Sequence, residues 1–321
     1  MATLVNMKAF KIESAGPRMW QLTIICVMVT VLFISYAIAM AGPSENIIPG
    51  IVEDVPGHYS GQANFRAVRV VFQKSAEDWQ PFPSRCPDQE CLRTITSRYP
   101  AKMTWTLTFD GRNLGQVSAR TPGKFDYYAD VGLQEITSTS AIPTISKRST
   151  EYSGFLGAPV YRPLVANSRP YFNDPELWKP ARPTTESLIA LRQQFRKRFS
   201  AVSNCQTPYE NVPRPWQYRD DAIKLLSAYS SKNQWSVVQL QLTGYRCDGP
   251  ADDAFITQWF VIDPGKTINS LGKGMWLVDA GDYDNDGKSE LVFSVGGYNS
   301  GGYRIFYDDF KRSATFAVRY H

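Results

Sequence analysis

Histidine is almost absent from this 321-residue chain: only His58 and His321 occur. A Ser-His-Asp or Cys-His relay needs an imidazole as general base, so such a mechanism would have to rest on His58. That residue lies in Pro56-Gly57-His58-Tyr59-Ser60-Gly61, a stretch that reads as a loop. The sequence has no G-x-S-x-G elbow, no H-E-x-x-H pair and no Walker loop, which removes the usual hydrolase, zincin and phosphate-binding signatures. Charge of one sign is also missing. Lys and Arg total 35 against 30 Asp and Glu, a formal net charge of +5, too balanced for a nucleic-acid partner that would need a clustered basic face. No C-x-x-C occurs, so a zinc site has no spacing to build on.

Long apolar runs are confined to the N-terminus. Lys8, Lys11 and Arg18 precede an uncharged stretch from Met19 to Ser44, and Ala39-Met40-Ala41 offers a small-x-small cleavage signal. Residues 1–41 therefore read as a secretory signal peptide, with an uncleaved anchor as the alternative because the run is long enough to span a bilayer. Either way the remainder is expected to be exported: periplasmic, extracellular or anchored facing outside. A membrane is expected as a partner only through this segment if it stays uncleaved.

Setting Cys26 aside within that run leaves Cys86, Cys91, Cys205 and Cys247. An even count in an exported chain points to disulfides. Four cysteines allow three pairings, of which Cys86–Cys91 and Cys205–Cys247 are preferred.

Beyond the N-terminal segment the pattern is β. Residues 43–150 read as an N-terminal β domain, with strands at Ala67–Phe72, Met103–Phe109 and, more weakly, 112–117 and 127–136. In Met103–Phe109 apolar and polar residues alternate, placing Met103, Trp105, Leu107 and Phe109 on one face. Asp110-Gly111 marks the turn between two of these strands. Residues 151–183 form a Pro- and aromatic-rich connector in which prolines break regular elements. Its aromatics argue for packing across a surface. Residues 184–321 read as one short amphipathic helix followed by a C-terminal β domain. Thr184 or Thr185 caps the helix, and Leu188, Leu191, Phe195 and Phe199 recur at helical spacing. The fold class is thus mainly β, with antiparallel sheets in a sandwich or blade-like arrangement.

The densest signal is Asp279 to Phe293, DAGDYDNDGKSELVF. Asp282, Asp284 and Asp286 alternate, Gly287 allows a sharp turn, and Glu290 closes the run. Alternate side chains can converge on one hard cation, with the Lys288 carbonyl supplying a further oxygen. The runs on both sides, 275–278 and 291–295, are strand-like, which excludes the helix-flanked EF-hand. Four carboxylates within nine residues repel one another unless a cation sits among them.

Gly281-Asp282-Tyr283-Asp284-Asn285-Asp286-Gly287-Lys288-Ser289-Glu290-Leu291-Val292-Phe293 resembles the calcium loop of FG-GAP repeats, the integrin-α-like β-propeller units. The likeness covers residues 275–310 and implies a structural Ca2+ that pins a strand connection. The motif occurs once, which implies a blade-like sheet rather than a full propeller. The resulting expectation is an exported, calcium-stabilised, β-rich binding or adhesion protein of the cell envelope, non-catalytic, with an extracellular protein or glycan as partner. Two alternatives accompany it: a membrane-anchored envelope assembly factor, and an exported hydrolase of glycans using carboxylates such as Asp252, Asp253, Asp308 and Asp309.

Overall fold

The computed structural model describes residues 47–55, 65–76, 78–86, 88–97, 103–120, 132–138, 162–205, 214–244, 256–297 and 300–319. The N-terminal segment 1–41, His58, His321, Cys247, Asp252 and Asp253 lie outside them.

Strands β1 (Pro49–Val55), β2 (Phe65–Val70), β5 (Met103–Phe109), β6 (Arg112–Ala119), β7 (Leu133–Glu135) and β8 (Val165–Asn167) make one antiparallel sheet in the order β6-β5-β8-β1-β2-β7. The sheet curls until its two outermost strands meet. Ala119 bridges Ile136, and Thr137 N–H donates to Ser118 O at 2.8 Å. Such closure leaves less unpaired edge. Asp110 and Gly111 both have positive φ, 51° and 66°, the two-residue turn whose twist suits a hairpin. The apolar run expected as one strand over Ala67–Phe72 divides instead. Val71 N–H turns aside to Pro49 O, and β3 (Phe72–Ser75) pairs with β4 (Asp78–Pro81) in a separate hairpin.

The Pro-rich segment does more than connect. It supplies β8, which sits between β1 and β5, and β9 (Lys179–Pro180), which edges a second sheet. That sheet runs β15-β14-β13-β12-β9, with β12 (Ile223–Ser230), β13 (Ser236–Leu242), β14 (Thr257–Ile262) and β15 (Ile268–Gly272). A third sheet is the meander β16 (Met275–Gly281), β17 (Glu290–Gly297), β18 (Ser300–Tyr307) and β19 (Arg312–Arg319). A short pair, β10 (Val202–Asn204) with β11 (Arg214–Trp216), completes the strands among the described residues.

The four-stranded meander is covered on both faces. Val278, Tyr283, Val292, Ile305 and Phe316 share a core with Ile51, Val68, Trp105 and Leu107 of the six-stranded sheet. Met275, Leu277, Leu291, Phe293 and Phe306 point the other way, into a core with Val237, Trp259 and Val261 of the five-stranded sheet. The alternation follows from the two-residue period of a strand. On its far side the five-stranded sheet presents Ile223, Val238, Leu240 and Phe260 to Leu191 and Phe195 of α2 (Thr185–Arg198).

This helix is the amphipathic one expected from the sequence. Thr184 caps it, its hydroxyl accepting from Ser187 N–H at 3.1 Å. Its basic residues are used locally: Arg192 donates to Ile223 O, and Arg196 to Asp220 and Tyr218 O. A second helix, α1 (Gln89–Ser97), was not read from the sequence; Asp88 Oδ1 accepts from Cys91 N–H at its start. The fold is mainly β and antiparallel, as the patterning indicates. Among the described residues no helix is long and apolar enough to cross a membrane.

Candidate metal site

The loop 282–289 joins β16 to β17, and Gly281 pairs with Glu290 at its neck. Asn285 and Gly287 adopt positive φ, 63° and 88°. A Cβ on Gly287 would meet nothing within 4 Å, so glycine is there for its backbone conformation and not for space. Tightening the loop points its amides inward at its own carboxylates. Asp282 Oδ1 accepts from Asp286 N–H at 3.1 Å and Oδ2 from Gly287 N–H at 2.9 Å. Asp284 Oδ1 accepts from Asp286 N–H at 3.2 Å, and Glu290 Oε2 from Tyr283 N–H at 2.9 Å. The result brings one carboxylate oxygen each from Asp282, Asp284 and Glu290 within 4.8 Å of one another.

The five residues expected as ligands therefore separate. Asp282, Asp284 and Glu290 converge and are buried, whereas Asp286 is exposed and outside that triad. Its Oδ1 accepts from Lys288 N–H at 2.8 Å; the Lys288 side chain, which the expected carbonyl ligand does not involve, pairs with Asp309 at 2.9 Å.

The loop rests on the Pro-rich segment 167–178. Asn167, fully buried, donates through Nδ2 to Tyr283 O at 3.0 Å, and Arg169 Nη1 donates to Asp284 O at 3.1 Å. Asp282 N–H donates to Asn173 O at 2.9 Å, and Ser289 Oγ bonds Asp174 Oδ1 at 2.6 Å. Asp174 also caps its own turn, accepting from the amides of Leu177 and Trp178. None of these partners could be read from the motif, because each lies more than a hundred residues away in sequence; the Asn173-Asp174-Pro175 cluster signalled only a turn. Lys74 of β3 is a further residue the sequence did not mark, its Nζ 2.5 Å from Asp284 Oδ2.

Beneath the loop Asp279 is buried yet bonded, Oδ2 accepting from Thr108 Oγ1 at 2.7 Å and Oδ1 from Gly111 N–H at 3.0 Å. Burial pushes its carboxyl up to about 6 against the lowering effect of those donors. Asp282 is raised to about 6 as well, first by burial and then by the Asp284 charge, with the Gly287 amide opposing. Burial and the Asp284 charge also raise Glu290 well above the ordinary glutamate range. Three inward carboxylates offering only hard oxygens, of which Asp282 and Glu290 resist ionisation, fit a hard cation such as calcium or magnesium. Asp282, Asp284 and Glu290 would hold it.

A pH dependence follows. Asp282 is raised in the folded chain above the unfolded value near 4. Without a cation its contribution to stability is complete below about pH 4 and is lost as pH rises through about 6. A bound cation acts oppositely, since it needs the ionised form. A rise in melting temperature induced by a divalent cation at this triad should therefore be largest at pH 7 and above, and vanish near pH 5. Asp279 titrates in the same window in both forms, so comparison with Asp282→Asn isolates the loop. A calcium effect independent of pH would show that these carboxylates are not the ligands.

Cys86 and Cys91 form a disulfide. Cys205 is disulfide-bonded too, while Cys247, with which the sequence pairs it, lies outside the described residues. Asp308 and Asp309 lie between β18 and β19, outside any strand. Together with Phe310 they form a turn of three consecutive positive-φ residues, and both carboxylates lie within ion-pairing distance of Lys288. No protein-family model matches this chain, and no curated protein or solved structure matches it either.

Proposed function

We propose that this chain is an exported, calcium-stabilised, β-rich binding or adhesion protein in which the ion is structural. The observation that carries the reading is the convergence of Asp282, Asp284 and Glu290 where the meander meets the Pro-rich segment. A cation there would lock the loop in the shape that the Pro-rich segment grips through Asn167, Arg169 and Asn173. The likeness of residues 275–310 to an FG-GAP calcium loop points the same way. The Cys86–Cys91 disulfide fits an oxidising, exported environment.

Beside the loop, Trp178, Trp235 and Phe310 form a half-buried aromatic group, with Phe310 5.4 Å from Trp235 and 5.9 Å from Trp178. Leu177 next to them is 61% exposed. Such a surface suits an extracellular protein or glycan ligand more than an enzyme cleft. Of the carboxylates the hydrolase alternative invokes, Asp308 and Asp309 face Lys288 and Lys311.

Thermal unfolding of the full chain tests the reading. Extracellular calcium modules bind with Kd of about 10⁻⁴–10⁻³ M. At about 10 mM calcium that affinity stabilises by about 1.5–2.5 kcal/mol, a rise of about 3–10 °C for a domain of this size. Asp282→Asn and Glu290→Gln should each abolish the rise. A melting temperature indifferent to calcium and to chelator would refute the structural ion.

A further inference from the structure

The acidic triad already has a cation beside it. Lys74 Nζ lies 2.5 Å from Asp284 Oδ2, and both side chains are largely buried, 15% and 3% exposed. Asp284 Oδ2 nevertheless makes no aligned hydrogen bond. The ammonium is thus the partner this buried oxygen has. Two aromatic faces hold the ammonium where it is: Nζ lies 5.2 Å from the centre of the Trp79 ring and 5.6 Å from that of Tyr307. Cations are attracted to such faces, more strongly when desolvated.

The hairpin that carries Lys74 is itself anchored to the meander. Tyr307 Oη donates to Asp78 Oδ1 at 2.9 Å, and Arg312 pairs with the same carboxylate. The neighbouring cations are engaged elsewhere. Arg169 binds the Asp284 carbonyl and not its carboxylate, and Lys288 pairs with Asp309. Lys74 is thus the described cation that ion-pairs with a member of the triad.

We propose that Lys74 is a tethered counter-cation of this loop, which competes with calcium for Asp284. The proposal rests on the calcium reading above. A lysine suits the role because its charge is compact and rides on a flexible four-carbon stem. When calcium takes Asp284, the ammonium can withdraw a short way and stay over the Trp79 and Tyr307 rings. Displacing it is therefore cheap, and the exchange would report metal occupancy to the β3–β4 hairpin.

Calorimetric titration of calcium into the full chain and into Lys74→Gln separates the possibilities. Competition predicts that Lys74→Gln binds calcium about two- to fivefold more tightly than the unmodified protein, the scale of one ordinary charge interaction. Tighter binding by the variant, whether or not the unmodified chain binds measurably, supports the proposal. Equal or weaker binding by Lys74→Gln, with the unmodified chain binding, overturns the proposal and leaves the calcium site standing. Absence of binding in both overturns the two together. Should Lys74→Gln fail to fold, the unmodified chain answers by lysine acylation read by mass spectrometry. Labelling of Lys74 should rise severalfold on adding calcium, and unchanged labelling with calcium bound would overturn the proposal.

Discussion

Trp259→Ala is expected to lower the unfolding free energy by about 3–5 kcal/mol, the range for removing a buried tryptophan from a core. Trp259 is fully buried between the five-stranded sheet and the meander. Its ring stands edge-on to Phe293 at 5.1 Å and near-parallel to Tyr229 at 6.5 Å. Its Nε1–H donates to Met275 O at 2.8 Å. Natural domains hold only about 5–15 kcal/mol in total, so this one truncation should bring the chain close to unfolding at room temperature.

Trp259→Phe should cost much less, about 1–2 kcal/mol, because most of the buried area survives. Met275 O also keeps a second donor, Gln239 Nε2 at 3.3 Å. Urea unfolding followed by near-ultraviolet circular dichroism measures both. A loss below about 1 kcal/mol for Trp259→Ala would mean that the two sheets do not share the core described here.

Much of this layering could be read in the sequence. The alternation of Met103, Trp105 and Leu107 marked β5, and the strand-like run 291–295 marked β17, which the structure buries on both faces. Where both faces are covered, however, polar residues enter the core and the alternation fails as a guide. Thr106 and Thr108 are as buried as their apolar neighbours, and the closest partner of the Thr108 hydroxyl is Asp279, 171 residues away. β8 was not legible. Its three residues lie between Pro163 and Pro170, and it is a strand because Pro49, Gly50 and Ile51 on one side and Thr106, Leu107 and Thr108 on the other pair with it.

The site divides in the same way. Asp282, Asp284 and Glu290 were visible because a local loop can gather them without outside help. Asp286 fitted the spacing equally well; it lies exposed outside the converging triad, with its Oδ1 accepting from the Lys288 amide. Asn167, Asn173 and Lys74 reach the loop through tertiary packing alone, and no local pattern announces them.

Gly281→Ala is expected to cost about 2–3 kcal/mol, toward the upper end of the overpacking range, and to weaken calcium binding with it. The demand at this position is for space. A Cβ on Gly281 would lie 2.1 Å from Cζ of Phe172, 2.6 Å from its Cε2 and 3.1 Å from Asn173 O. The ring cannot retreat freely, since it packs against Tyr283 at 5.1 Å. Relief requires the 172–174 backbone to move, and that backbone accepts the Asp282 amide at Asn173 O and positions Asp174 against Ser289. Strain at the neck of the loop is thereby passed to the triad, whose oxygens must stay about 2.3–2.6 Å from one calcium ion. Phe172→Ala removes the obstacle. The double variant Gly281→Ala/Phe172→Ala should then be no less stable than Phe172→Ala alone, so the cycle should show a favourable coupling comparable to the whole Gly281→Ala penalty. Additive losses would place the cost of Gly281→Ala elsewhere and would uncouple the Pro-rich segment from the loop.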